Sequence, residues 1–232
     1  MKSLFKVFIG YDPVERIAWH TAVSSILERS SVPISIIPVN IQNLKNIFNR
    51  PRDNKQSNEF SFSRFLVPYL SDYDGKALFM DCDMLFRVDI AELINTIADS
   101  EAAVHVVKHD YMPKDGIKYL NTVQYSYPRK NWSSFVVWNC AHPKNKILTP
   151  QFVEKATGLE LHRFTWLDDD EIGDLDVRWN WLVGEYCEPP KDVKNVHWTV
   201  GGPYFNEYSG CDFSDEWREE LARVNYVKQR SE

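Results

Sequence analysis

Residues 4–39 constrain the fold more than any other stretch of this 232-residue chain. LFKVFIG at 4–10 has the short apolar composition of a strand. Asp12, Pro13 and Glu15 then supply an N-cap, a proline suited to the first helical position and a capping-box acid. Trp19, Ala22, Val23, Ile26 and Leu27 recur at helical spacing, and 34–39 returns to β-rich sequence. Strand, helix and strand in that order predict a parallel pair joined by a right-handed crossover, the start of a nucleotide-binding α/β layer. Tyr11 and Asp12 fall just past the first strand, where a base or ribose docks in such layers; Asp12 serves equally as the helix cap.

The second constraint is KALFMDCD at 76–83. Ala77, Leu78, Phe79 and Met80 read as a strand buried on both faces, followed at once by Asp81 and Asp83. Along an extended segment side chains alternate, so the two carboxylates point one way and Cys82 the other. Two hard oxygen donors at a strand end suit Mg²⁺ or Mn²⁺ held with the phosphates of a nucleotide. The carboxyl end of a strand is also where open α/β sheets bind ligands. Taken alone, an Asp-x-Asp serves equally as a helix cap or a solvated loop.

Elsewhere the pattern is coarser. FSFSRFLVPYL at 60–70 predicts a helix, and Arg64 within it needs an anion, for which Asp81 or a ligand phosphate is available. A helix is expected over 89–98, strands over 102–107 and 132–139, a helix over 149–156, a last strand over 193–199 and a closing helix over 214–228. The polar stretch 50–59 reads as a loop. So does the aromatic stretch 110–131, with Tyr111, Tyr119, Tyr125 and Tyr127, which we read as part of an acceptor site. WLDDDEIGDLD at 166–176 carries six acids in eleven residues. Such a run is ordinarily a solvated face or a helix start, with room for one or two acids facing a site. His197 ends the last strand, and Gly201, Gly202 and Pro203 follow, where backbone amides can approach a pyrophosphate.

Composition sets the outer limits. The length favours one domain, no linker marks a boundary, and a net charge of −6 argues against a nucleic-acid surface. No stretch reaches the length of a membrane span, which predicts a cytoplasmic protein without a transmembrane segment. Cys82, Cys140, Cys187 and Cys211 form no CxxC pair, so reduced and mostly buried thiols are expected.

The ordered set of strand-YD, FSFSRFL, KALFMDCD, WSSFVVWN, WLDDDEIGDL, RWNW and VHWTVGGP resembles the nucleotide-sugar glycosyltransferases of GT-A fold, nearest to glycosyltransferase family 8, over nearly the whole chain. The resemblance implies a GT-A (Rossmann-like) α/β fold with a mixed, mostly parallel central sheet flanked by helices. It implies that Asp81, Asp83 and His197 hold a divalent metal, usually Mn²⁺ or else Mg²⁺, against the donor diphosphate. It also implies that Arg64 lies near the donor sugar and that Tyr11 and Asp12 grip base and ribose. Ser133 and Ser134 would line the sugar pocket with Cys82 among the substrate contacts, while Asp169 and Asp170 would stand beside the anomeric centre. The expected reaction is transfer from a nucleoside-diphosphate sugar, UDP-hexose first, to a carbohydrate or other hydroxyl acceptor with retention.

Three departures bear on that expectation. Trp132-Ser133-Ser134 replaces the family's Asn-Ala-Gly, a run of Asp replaces its Asp-Gln, and the lysine that follows the metal histidine is missing, leaving its role to the amides of Gly201 and Gly202 or to a loop cation. Two other readings of the same residues stand beside the first. DCDML is also similar to the start of a haloacid-dehalogenase phosphatase, with Asp81 as nucleophile, although Leu85 stands where that motif wants Thr or Val. A nucleotide-sugar-binding module without turnover is the other.

Overall fold

A computed structural model of the chain describes residues 4–53, 56–110, 116–117, 123–124 and 129–226. The opening unit is β1 (Phe5–Gly10), a short 3₁₀ turn (Pro13–Glu15), α1 (Arg16–Leu27) and β2 (Ile34–Val39). β1 and β2 are parallel, with Phe5 opposite Ile34 and Gly10 opposite Val39, as the strand, helix, strand pattern predicts. β3 (Lys76–Met80) lies against the other edge of β1, also parallel. β1 and β8 (Phe135–Asn139) pair with its two edges, and Ala77 to Met80, whose side chains alternate between the faces, are all buried, so both faces are covered.

The strands between and beyond are β4 (Met84–Phe86), β5 (Val104–Val106), β6 (Gly116–Ile117), β7 (Val123–Gln124), β9 (Ile172–Asp174), β10 (Trp181–Leu182) and β11 (Asn195–His197). The main sheet runs β2-β1-β3-β8-β5-β9. β8 is antiparallel to both its neighbours, and the other three pairings are parallel, which makes the sheet mixed and mostly parallel. The further helices are α2 (Val67–Leu70), α3 (Ile90–Thr96), α4 (Pro150–Lys155), α5 (Gly158–His162) and α6 (Ser214–Val224).

A second sheet, β10-β11-β4, decides where the chemistry can be. β4 leaves the acids directly after Asp83 and pairs antiparallel with β11, setting Met84 opposite His197. That pairing carries the imidazole across 114 positions of sequence to the end of β3, at the seam between the two sheets.

Two local expectations change. The helix expected over 60–70 is two shorter pieces, a 3₁₀ segment (Ser63–Leu66) followed by α2. Pro68, which lacks an N–H, sits in the first turn of α2, where it starts a helix rather than continues one. Of the four free cysteines only Cys82 and Cys140 are buried; Cys211 is half-buried and Cys187 is exposed.

Candidate metal and donor site

The chain bends after Met80, and Asp81 and Asp83 are fixed there by their backbones. The Asp81 amide donates to Ser134 O (2.9 Å), and Asp83 O accepts from the Trp198 amide (3.0 Å). One ligand atom from each of Asp81, Asp83 and His197 lies within 4.8 Å of the others. All three side chains are buried, His197 to 1% exposure. Two buried acids side by side need positive charge. Arg64 supplies some of it, with Nη1 2.7 Å from Asp81 Oδ1. Burial still pushes Asp81 up to about 6, against the pull of Arg64. His197 Nε2 faces Asp83 Oδ1 at 3.4 Å. Two hard carboxylates and one imidazole, with an acid whose charge is incompletely compensated, fit a divalent metal.

Arg64 does more than face Asp81. Its Nη1 donates to Ser133 O (3.0 Å) and its Nε to Phe60 O (3.4 Å), and its guanidinium lies over the Phe60 and Phe79 rings. The cation expected from an arginine among apolar residues therefore meets the acid at the end of the next strand. Ser133 Oγ bonds His162 Nδ1 (2.6 Å), and Ser134 Oγ donates to Asn131 O (2.6 Å).

Behind the imidazole lies a layer that motif reading did not single out. His197 Nδ1 is 2.9 Å from Asn180 Oδ1. Asn180 Nδ2 reaches Ser134 Oγ and His109 Nε2, each at 3.0 Å, and His109 Nδ1 meets the Tyr186 hydroxyl at 2.7 Å. Burial pushes His109 down to about 3 and keeps it neutral. A cavity of about 380 Å³ opens on the far side, lined by Val107, Lys108, His109, Asp174, Leu175 and Tyr186. Asn180 was present in RWNW as a motif; the two histidines it joins are 88 residues apart, a separation no local pattern encodes.

The remaining candidates separate. Both Asp12 carboxylate oxygens accept backbone amides, Val14 at 2.9 Å and Glu59 at 3.0 Å, so the cap is real and also ties down the 56–62 segment. Tyr11 sits edge-on to Trp19. Cys82 is buried, and burial beside Glu15, Asp83 and Asp81 pushes its thiol well up. Tyr204 donates to the buried Glu15 (2.6 Å), closing the 198–208 loop onto the end of β1. Gly201 and Gly202 make that closure possible. A Cβ at either would strike the Tyr208 or Tyr204 ring at 2.4 or 2.3 Å, and Gly201 has φ of +154°. The Gly201 amide is used within the loop, donating to Trp198 O (3.0 Å). Asp169 and Asp170 are exposed on a 3₁₀ turn (Asp169–Glu171), outside the buried triad. Asp169 pairs with Arg129, whose guanidinium covers the ring of Trp132, the residue before Ser133. Tyr111, Tyr119, Tyr125 and Tyr127 of the expected acceptor segment lie outside the described residues.

The family model for Glycosyl transferase family 8 matches residues 7–144. Protein CDI of Arabidopsis thaliana is 47% identical over 230 residues, covering 97% of this chain and 88% of that protein. Among solved structures, the bifunctional glycosyltransferase WbbM superposes with a TM-score of 0.68 at 15% identity, covering 96% of this chain and 50% of its own. This chain thus spans about half the length of WbbM. The galactosyltransferase LgtC, solved with donor and acceptor sugar analogs, superposes with a TM-score of 0.53 at 10% identity over 97% of this chain and 98% of its own. At such identities the two structures speak for the fold. Among the described residues no helix is long and apolar enough to cross a membrane.

Proposed function

This chain belongs to glycosyl transferase family 8 and has the GT-A fold, and from that premise we propose that it transfers a hexose from a nucleoside-diphosphate donor, UDP-hexose first, to a hydroxyl acceptor with retention. The observation that carries the reading is the convergence of Asp81, Asp83 and His197 within 4.8 Å at the end of β3, with Arg64 against Asp81. Those three residues would hold Mn²⁺ or Mg²⁺, which when bound supplies Lewis-acid stabilisation to the departing diphosphate.

The chain's own groups do the rest. Arg64 keeps Asp81 turned toward the seam and places fixed positive charge where an anionic donor would sit. The Ser133 and Ser134 segment, pinned through Ser133 O and Ser134 O, would line the sugar pocket with Cys82 beside it. Tyr11 and Asp12 would form the base and ribose end, and Gly201 and Gly202 would bring backbone close to the phosphates. Asp169 and Asp170 are the acids proposed for the reacting carbon, Asp169 being joined through Arg129 and Trp132 to the sugar segment. We read the protein as a single cytoplasmic domain, in keeping with its four free cysteines. Family membership displaces the phosphatase reading.

Calorimetric titration with a panel of nucleotide sugars, with and without Mn²⁺, followed by an assay of donor hydrolysis and transfer, tests the proposal. One donor is expected to bind and turn over only with metal, and the double variant Asp81→Asn, Asp83→Asn should lose both while keeping its circular-dichroism spectrum. Unchanged turnover in that folded variant would end the metal reading. Binding without turnover by the wild type would favour a module that only captures the donor.

A further inference from the structure

We infer that Asn180 is the positioning residue for the metal histidine, fixing the tautomer in which His197 keeps its Nε2 lone pair for the cation. The inference rests on the metal reading above and adds to it a residue outside the ligand set. The polarity of the network is assigned by counting donors and acceptors. Ser134 has one hydroxyl proton, and at 2.6 Å it goes to the carbonyl of Asn131. Toward Asn180 that hydroxyl can only accept, so the amide NH₂ faces it at 3.0 Å. The amide oxygen then faces His197 Nδ1 at 2.9 Å, and an amide oxygen cannot donate. The proton must lie on Nδ1. A neutral imidazole so protonated has a bare Nε2, the nitrogen turned toward Asp83.

The other half of the NH₂ closes the network in the same sense. It points at His109 Nε2 (3.0 Å), which must accept, and His109 Nδ1–H then donates to the Tyr186 oxygen (2.7 Å). Asn180 and His197 are 0% and 1% exposed, so solvent has no access to either partner. The amide is held from both sides in sequence, with Trp179 and Trp181 buried around it and Trp179 O accepting from Asn195 Nδ2 (3.1 Å). A histidine ligand whose other nitrogen is so engaged is pre-oriented and more basic.

Two measurements on the full chain test this. Mn²⁺ affinity is read from the free-ion electron paramagnetic resonance signal for the wild type, Asn180→Leu and Asn180→Asp. The leucine variant should bind about 10- to 100-fold more weakly, and the aspartate variant, whose carboxylate still accepts from Nδ1–H once the Ser134 hydroxyl rotates and His109 takes its Nε2–H tautomer to donate to the other oxygen, should stay within about threefold of wild type. Separately, imidazole ¹⁵N shifts of the metal-free wild type at alkaline pH should show His197 as the Nδ1–H tautomer, with a mixture in Asn180→Leu. Equal Mn²⁺ affinity in a folded leucine variant, or an Nε2–H tautomer in the wild type, would overturn the inference, as would an aspartate variant weakened as far as the leucine one. Should the leucine variant not fold, the aspartate variant and the wild-type spectrum decide. A wild type that binds no Mn²⁺ but shows the Nδ1–H tautomer sinks the metal reading instead, and so the two failures are told apart.

Discussion

Asp81 is a carboxylic acid that the fold holds in two minds. Arg64 at 2.7 Å favours its charged form, while burial and the neighbouring Asp83 favour the neutral one, and burial wins. The acid titrates near 6 in the folded chain against 3.8 when exposed. Below the lower value both folded and unfolded chains hold the proton; between the two, only the folded chain does. The stability contributed by this group is therefore complete at low pH and is lost as pH rises through 6, by up to about 3 kcal/mol. Asp81→Asn, which mimics the neutral form, is expected to gain stability relative to wild type as pH rises from about 4 to 6 in metal-free buffer. Urea denaturation of both proteins across that range measures the difference. A flat difference would mean that Arg64 already compensates the acid in full. Added Mn²⁺ should close the gap by stabilising the wild type alone.

At the scale of elements, α6 is the strap over the loop that follows the histidine. Glu220, 1% exposed, accepts from Ser24 Oγ (2.6 Å) and Arg29 Nη1 (2.9 Å) on and just past α1, and from Arg223 on its own helix. Trp217, one turn earlier, packs against Tyr204, whose hydroxyl bonds Glu15. Glu220→Gln keeps the shape but removes the charge from those bonds, and the expected loss is about 1–3 kcal/mol by urea denaturation. Hydrogen exchange should quicken in α6 and leave β1 and β3 protected; uniform acceleration would show that the strap is not a separate unit. The same helix shows what patterning can reveal. Its acidic start and basic end follow the dipole, and the expected start at Ser214 is observed. β4 was not anticipated, because MLF at 84–86 is three apolar residues whose only strand signal is a partner more than a hundred residues away. α5 carries a local signal of its own, since Thr157 and Glu160 form a full capping box.

Over the whole molecule, buried histidine opposes buried aspartate. His109 is held neutral by burial, down to about 3 from 6.5. Between those values only the unfolded chain binds this proton. The stability His109 contributes is complete above 6.5 and falls as pH drops toward 3, by up to about 1.4 kcal/mol for each pH step. On acidification from neutrality His109→Gln should therefore lose less stability than the wild type, read as the difference between their thermal midpoints; parallel curves would assign acid lability elsewhere. The fold class was legible because β1, β2 and β3 declare themselves locally and the crossover rule orders them. The two acids were legible by residue type and spacing, Arg64 declared its need for an anion and the structure chose Asp81 over a ligand phosphate, and the imidazole entered the site only through the family resemblance. Asn180 and His109 were not, since their significance lies in contacts made only after β10, β11 and β5 assemble. In the acid run from 166 to 176, Lys144 binds Asp168 and Glu171, and Asp169 pairs with Arg129.

Because β3 hands its acids directly to β4, and β4 in turn holds β11, the two acids lie in the connection between the sheets and the imidazole in the smaller one. Transplanting residues 76–83 into another parallel sheet would move two thirds of the donor atoms and leave the imidazole behind. Whoever wishes to reprogram this centre must carry the join along with it.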